Sequence, residues 1–487
     1  MVLQSDKTTI VPPTFALVSP CGYGNLGDAA IQDAMIANIR MRYPDARILG
    51  ITLNPPDTEG RHGITTFPIR AGERHKRAGA YPTAEKASAM KQAPVSGKGL
   101  TGAGLSWIYR IVRTIARSVL PESVRARLRT MCEEGQHLAA AFQWLRAVDT
   151  LIFSGGGQLD DSWGGPSGHP WALIKWTLLA KLRNARVLIL SVGYGSLESW
   201  WSRRFVRLAL SMADYRSYRD AGSRDLMRRA GFAGVDPVVP DLAYSRPSEY
   251  QRGPIGGSIR TVGICPMAYC DPRGWFKHDR RAYESYLERL AQVAVWLIQT
   301  QRRLVFFVSG GADHRVADEV IARVSSRVAP SQHAQMRLAP VVTVDGFLEQ
   351  AAAVDVVVGS RLHALLLSHL AGTPTIAISY ERKVDALMAE MEQDAYALSI
   401  DALTLPDFRR VFEALEGAWQ TARDRLRAKR TEYRGLLQRQ YDLVLCDGSP
   451  TMSRAEQGEL SPCRKHASRL SATKKHSCKA SLYGPVD

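Results

Sequence analysis

The 487-residue chain has few features of an exported, zinc-binding or membrane-spanning protein. Its seven cysteines are scattered, with neither a C-x-x-C pair nor a Cys/His spacing typical of zinc sites. The N-terminal MVLQSDKTTIVPP lacks a basic start followed by an apolar run, and no stretch reaches the roughly 18 apolar residues of a spanning helix. Nor do the carboxylates show the spacing of a metal cage. We therefore expect a reduced, cytoplasmic chain that needs neither a metal nor a cofactor.

The composition is that of a folded protein with a basic surplus. Hydrophobic residues make up 45% and charged residues 23% of a chain long enough for two domains. Sixty-four Lys and Arg against 47 Asp and Glu give a net charge of +17, which predicts an anionic partner. The basic residues lack interleaved aromatics or a reading helix, so nucleic acid is not favoured. A phosphorylated small molecule or a phospholipid surface remains.

Strand, glycine-loop and helix patterns alternate along the chain, as in parallel α/β sheets. The apolar runs of the first half are FALVSP, RILGITL, DTLIFSGG, ARVLILSVG and DPVVPDLA; those of the second are TVGICP, RLVFFVSG, MRLAPVV, VDVVVGS and PTIAISY. We predict an α/β fold of two Rossmann-like domains, residues 1–250 and 251–445, which face each other across a cleft. Ligands of such sheets bind at the carboxyl ends of the strands.

Two segments fall outside this pattern. A basic insertion at residues 71–131 has little periodicity until WIYRIVRTIARSVL, where Arg110, Arg113 and Arg117 lie opposite an apolar helical face. This pattern is shared by surface helices packed on a core and by helices that lie on anionic lipid, so peripheral contact with the cytoplasmic membrane surface stays open. The tail, residues 446–487, is rich in Ser, Lys and His and predicts disorder.

Three glycine loops each follow a strand and open a helix: Gly22–Asp28, residues 154–158 and residues 309–313. Such loops bring backbone amides to a phosphate, carboxylate or sugar, although tight turns also need glycine. The first fits G-x-G-x-x-G, but the next strand ends without the carboxylate of a nicotinamide site. We select Gly24, Asn25, Gly156 and Gly157 as substrate-binding candidates. Asp28 is placed to act as a base.

The run GSRLHALLLSHLAGTP has an arginine and a histidine at the start of an apolar helix. Strand VDVVVGS delivers Ser360, Arg361, Leu362 and His363 at its carboxyl end. A cation at a helix N-terminus opposes the helix dipole unless an anion lies nearby. Either an anionic ligand occupies the site, or Arg361 pairs with a local carboxylate and His363 is a satisfied core residue.

Taken together, the motifs resemble the polysaccharide pyruvyl transferase family. They are GYGNLGD, FSGGGQLDD, YRDAGSRDLMRRAG with the downstream PDLAY, and GSRLHALLLSHLAGTPTIAISYERKV, in order along the chain. The resemblance implies a fold similar to GT-B glycosyltransferases and transfer of the pyruvyl unit of phosphoenolpyruvate to sugar hydroxyls of an exopolysaccharide or cell-wall glycan unit. The product is a cyclic ketal.

The resemblance also assigns residues. The family's arginine-leucine-histidine motif, implicated in holding phosphoenolpyruvate, matches Arg361, Leu362 and His363, and its further arginine matches Arg219. We expect His363 to donate a proton or to bind the phosphate, and Asp28 or Asp161 to accept the proton of the sugar hydroxyl.

Two other functions fit parts of the pattern. A GT-B glycosyltransferase with a nucleotide-sugar donor would share the two domains, with Glu381 contacting the ribose. A noncatalytic protein of lipid surfaces would use the basic helix of the insertion.

Overall fold

The computed structural model describes residues 12–22, 24–71, 121–162, 164–232, 234, 236–247, 258–274 and 278–445. The predicted helix with Arg110, Arg113 and Arg117 lies outside these residues, as do most of the insertion and the whole tail. Predictions about those segments therefore stay predictions.

The first domain is a six-stranded parallel sheet with the strand order β3-β2-β1-β4-β5-β6. Its strands are β1 (Thr14–Ser19), β2 (Arg47–Thr52), β3 (Thr65–Pro68), β4 (Thr150–Ser154), β5 (Arg186–Val192) and β6 (Tyr215–Tyr218). Its helices are α1 (Leu26–Arg42), α2 (Pro55–His62), α3 (Glu122–Trp144), α4 (His169–Leu182), α5 (Trp200–Met212) and α6 (Ala221–Arg229). All six residues of β1 are buried, because helices cover both faces of a sheet of this kind.

The second domain repeats the plan. Its sheet is also parallel, with the order β12-β11-β10-β7-β8-β9, which is the same winding as the first. The strands are β7 (Thr261–Cys265), β8 (Arg303–Phe306), β9 (Met336–Leu338), β10 (Val356–Gly359), β11 (Thr375–Ser379) and β12 (Ala397–Ser399). The helices are α7 (Arg280–Gln299), α8 (Asp313–Ser325), α9 (Val344–Ala353), α10 (Leu362–Leu370), α11 (Arg382–Glu390), α12 (Leu405–Gly417) and α13 (Trp419–Leu445).

The carboxyl ends of the two sheets face each other. In each sheet the winding reverses between the first and fourth strands of the domain, which is where open α/β sheets bind ligands. The first glycine loop meets the third across this boundary, where the Leu26 N–H donates to the Ser309 carbonyl oxygen at 2.9 Å. The predicted α/β fold of two facing Rossmann-like domains is confirmed.

Helix α13 connects the domains a second time. It begins in the second domain, where the Trp419 indole N–H donates to the Asp355 carbonyl oxygen at 2.7 Å. It ends on the first domain, where Gln440 accepts from the Ser217 hydroxyl at 2.6 Å and the Val444 carbonyl oxygen accepts from Arg186 at 2.8 Å. Helix α13 is thus shared by both cores.

Some predicted elements differ from the structure. DPVVPDLA is not a strand: it makes one isolated bridge, Tyr218 to Val238, and then a 3-10 turn at Leu242–Ser245. The apolar run MRLAPVV forms only the short β9. Strands β3, β6 and β12 lack a long apolar run and were not predicted. Among the described residues, no helix has both the length and the apolarity needed to cross a membrane.

Candidate active site

The first glycine loop ends in a capped helix. The Asn25 side-chain oxygen accepts from the Gly27 N–H at 3.0 Å, which caps α1, and its amide nitrogen donates to the Asp28 carboxylate at 2.7 Å. Gly24 adopts a φ of +76° against the backbone of Gly311 in the other domain. Asn25 and Gly24 therefore shape the loop and hold Asp28.

Gly27 lies directly under the ring of His363. A β-carbon at Gly27 would overlap the Cβ, Cγ and Nδ1 atoms of His363, so only glycine allows the two domains to meet here. The Nε2 atom of His363 is buried and, within the described part of the chain, has no hydrogen-bond partner. Burial lowers the pKa of His363 to about 4, with Asp241 opposing this shift and Arg219 adding to it. The imidazole is therefore neutral near pH 7.

Arg361 has a carboxylate partner of its own. Its Nη2 donates to Asp313 at 2.7 Å and its Nε also donates to the same carboxylate, in a bidentate pair. Asp313 is fully buried and comes from the third glycine loop, which was expected to cradle an anion. Arg361 thus has a local carboxylate partner, whereas the Nε2 atom of His363 has none among the described residues. The Nη1 atom of Arg361 makes no hydrogen bond to the described residues.

Arg219 follows β6 and is packed between acidic groups of its own domain. Its Nη1 donates to Asp241 at 3.4 Å and its Nε lies 3.5 Å from Asp220. Asp220 caps α6 by accepting from the Ser223 N–H at 2.6 Å, and the Ser223 hydroxyl accepts from the Tyr194 N–H at 3.0 Å. Asp220 and Ser223 therefore form a helix cap that fixes Arg219 at the end of its strand.

Asp28 is a buried carboxyl with a raised pKa. Desolvation and the negative charge of Asp241 raise the pKa of Asp28 to about 7, and Arg219 and Lys383 oppose the shift. Gly156 faces this carboxylate, since a β-carbon there would lie 3.5 Å from Oδ1. A carboxyl with a pKa near neutrality is suited to accept a proton during catalysis.

The other predicted residues take supporting positions. The Asp161 carboxylate accepts from the backbone N–H groups of Glu198 and Ser199, at 3.3 and 3.1 Å, and so anchors the start of α5. Ser360 is buried beside the Tyr286 hydroxyl at 3.3 Å. Leu362 is buried and Gly157 is exposed.

A small pocket adjoins this cluster and contains residues that the sequence did not indicate. It is lined by Arg219, Asp220, Asp241, Tyr244, Leu362, Leu366, Lys383, Ala386, Leu387, Glu390 and Tyr433. Burial and the nearby charge of Asp220 raise the pKa of Glu390 to about 7, although Tyr433 donates to it at 3.2 Å. The pocket is narrow and partly open to solvent.

The sequence could have identified one of these pocket residues but not the other. Asp241 belongs to the quoted PDLAY motif, which could have identified it as a partner of Arg219. Glu390 carries no such signal, because only the fold brings it from α11 to the first domain. In the described ranges no group of three or more His, Cys, Asp and Glu side chains could hold a metal ion.

The fold and this cluster define a two-domain protein whose interdomain cleft presents arginines, a histidine and a buried carboxyl. The chain belongs to the polysaccharide pyruvyl transferase family, whose model matches residues 25–382. The resemblance seen in the motifs is confirmed, and with it the assignment of the chain as a transferase. No curated protein matches the chain significantly.

Several solved structures share the overall layout at low similarity. S. aureus MnaA with UDP has 10% identity and a TM-score of 0.49, over 91% of this chain and 100% of that one. Anabaena Alr3699/HepE with UDP has 11% identity and a TM-score of 0.49, over 89% and 99%. E. coli ADP-heptose LPS heptosyltransferase II has 12% identity and a TM-score of 0.38, over 84% and 99%. Similarities of this size carry no argument about activity.

Proposed function

We propose that the protein transfers the pyruvyl group of phosphoenolpyruvate to two hydroxyls of a saccharide, forming a ketal and releasing phosphate. The observation that carries the proposal is the meeting of the two domains at the carboxyl ends of their sheets. Asp28 and Arg219 come from the first domain and His363 from the second, with its ring seated on Gly27. The saccharide would be an exopolysaccharide or cell-wall glycan unit.

Phosphoenolpyruvate carries a phosphate and a carboxylate, and the cluster offers donors for both. Arg361 has an uncommitted Nη1, and Arg219 is held at the cleft by Asp220 and Asp241. His363 adds a buried nitrogen that lacks a partner among the described residues. Guanidinium groups bind phosphate and carboxylate well. The cluster therefore favours phosphoenolpyruvate, which carries one group of each kind, over the larger nucleotide-sugar.

The reaction needs one proton given and two protons taken. Protonation of the methylene carbon of phosphoenolpyruvate places positive charge on C2, which the first sugar hydroxyl attacks as it loses its proton. The C2–O bond to phosphate then breaks, and the second hydroxyl adds to C2, passes its proton to the departing phosphate and closes the ketal. In this scheme His363 delivers the first proton and Asp28 accepts the proton of the attacking hydroxyl.

The pKa values set a condition on His363. With a pKa of about 4 in the free protein, it can act as an acid at neutral pH only if the substrate raises that pKa. The negative charges of phosphoenolpyruvate would do so by stabilising the imidazolium. If no proton is taken up on binding, the neutral imidazole serves as a phosphate ligand instead.

The first test is phosphate release from phosphoenolpyruvate with a mixed pool of lipid-linked and nucleotide-linked sugars. We expect sugar-dependent release by the wild type and its loss in R361A and H363Q. R280A is the matched control, because Arg280 is an exposed arginine at the start of α7.

The shift in melting temperature on ligand addition distinguishes the proposed pyruvyl transferase from a glycosyltransferase that uses a nucleotide-sugar. The proposal requires stabilisation by phosphoenolpyruvate, whereas stabilisation by a nucleotide-sugar alone would favour the alternative. The carboxylate of Glu381, which that alternative assigns to a ribose, pairs with Lys383 at 2.8 Å.

A further inference from the structure

Helices α4 and α5 of the first domain expose large apolar side chains side by side. Trp200 is 59% and Trp201 56% exposed, and Leu208 follows on the same side of α5 at 39%. The rings form a continuous series, with centroids 4.6 Å apart for Trp200–Trp201, 6.0 Å for Trp201–Phe205 and 5.8 Å for Phe205–Trp171. On α4, Leu178 and Leu182 are 46% and 63% exposed. We call these residues, Trp171, Leu178, Leu182, Trp200, Trp201, Phe205 and Leu208, the aromatic face.

The first half of α3 extends the aromatic face. Glu134 ties α3 to α4 by accepting from the Trp171 indole at 2.8 Å and from the Lys175 ammonium at 2.9 Å. Since Trp171 is near the start of α4, the part of α3 before Glu134 projects past it by roughly 18 Å. That part carries an apolar stripe of Val124, Leu128 and Met131, which are 37%, 45% and 70% exposed.

Arginines flank both apolar surfaces. Arg204 and Arg207 are exposed on α5, and Arg127 and Arg129 are exposed on α3. Within the described ranges none of these four arginines makes an ion pair. The chain has 64 Lys and Arg but only 47 Asp and Glu, so some basic side chains must lack an acidic partner. Exposed tryptophan and leucine flanked by arginine is the composition of helices that lie at the interface of anionic membranes.

The positive charge of the protein also favours an anionic bilayer over a second copy of the chain as the partner of the aromatic face. A second copy of this chain would bring a net charge of +17 to a surface that already carries unpaired arginines. An anionic bilayer instead supplies negative headgroups for the arginines and an apolar boundary for the tryptophans. The face lies beside the cleft, since Asp161 of the loop after β4 anchors the start of α5.

We propose that the aromatic face and the first half of α3 dock together on an anionic lipid bilayer, with the cleft beside the membrane surface.

The test is co-sedimentation of the full chain with vesicles of phosphatidylglycerol and phosphatidylcholine, against phosphatidylcholine alone. We expect binding to the anionic vesicles only. W200S/W201S should bind about tenfold more weakly, because two half-exposed indoles no longer enter the interface. R204E/R207E should lose about tenfold or more at low salt, and added salt should reduce the wild type to the same level.

Matched controls make the same chemical changes elsewhere. M41S/V342S removes two apolar side chains that are 63% and 68% exposed, and R280E/R281E reverses two exposed arginines of the second domain. Both should bind like the wild type. All four variants should keep the wild-type melting temperature, because the changed side chains are exposed.

Four results would overturn the proposal. The first is equal binding to neutral and anionic vesicles. The second is wild-type binding to anionic vesicles by both W200S/W201S and R204E/R207E. This result includes the case in which only R110E/R113E/R117E loses vesicle binding. The third is an equal loss in the matched controls M41S/V342S and R280E/R281E. The fourth is a wild-type dimer that ignores vesicles and becomes monomeric in W200S/W201S, which would assign the face to a second copy.

Discussion

Replacement of Gly27 by alanine should disable the site without destabilising the fold. Gly27 lies in the first turn of α1 with an ordinary helical backbone, so alanine itself suits the position. A β-carbon there would fall at roughly half the normal carbon–carbon separation from the Cβ, Cγ and Nδ1 atoms of His363. The imidazole and α1 must therefore move apart by about 1.5 Å to restore normal contact.

A shift of that size should be costly for catalysis. A misplacement of about 1 Å can reduce a rate about 100-fold, so we expect G27A to lose at least that factor in sugar-dependent phosphate release. The melting temperature should stay within a few degrees of the wild type, because the domains can separate slightly instead of unfolding. Steady-state kinetics and a thermal melt on the same preparation measure both quantities.

Two further variants isolate the cause. G135A makes the same change within α3, where a β-carbon meets nothing within 4 Å, and should leave activity unchanged. In the H363G background the clash is relieved, because the Cβ of His363 is removed together with the ring, so G27A/H363G should match H363G in both stability and residual rate. The steric argument is refuted if G27A is fully active, or if it costs as much without the His363 ring as with it.

Three further predictions concern the charged groups of the cleft, Asp28, Asp241 and Arg219. Because the pKa of Asp28 is raised from 3.8 to about 7, the unfolded chain loses that proton first as pH rises, and the carboxyl destabilises the fold above about pH 4. D28N should therefore raise the melting temperature near pH 8 but not near pH 4, while abolishing transfer; an equal effect at both pH values would contradict the assignment. D241N removes a charge that raises the pKa of Asp28, so the acidic limb of the pH–rate profile should move to lower pH, and a move to higher pH would be inconsistent with this coupling. G193A would place a β-carbon 2.5 Å from the Arg219 Nη2 and should weaken phosphoenolpyruvate binding about tenfold in calorimetry, whereas G60A, with open space around it, should not.

The fold followed well from the sequence because buried parallel strands are apolar throughout. β1, β4, β5, β7, β10 and β11 all coincide with predicted runs. β6, with the sequence YRSY, was missed because its pattern is half polar: the Tyr215 and Ser217 hydroxyls hydrogen-bond to Gln440 on α13. Gln440 lies more than 200 residues further along the chain, so no local pattern could indicate this pairing.

The site was predictable in its motifs but not in its pairings. The start of α10 identified Arg361 and His363, yet Asp313, the anion that Arg361 needs, lies 48 residues earlier in a loop read as a ligand cradle. Gly27 was read as part of a turn or a phosphate loop, and its actual constraint is a side chain from the other domain. Such contacts depend on how the two domains are positioned relative to each other, and the periodicity of the sequence does not predict that arrangement.

Helix α13 determines how the two domains can move. The chain leaves the first domain after residue 247 and returns to it along α13, so the two domains are joined at two places and not by a single linker. Any motion that separates the two domains must therefore bend or slide α13, and it would lift the His363 ring from Gly27.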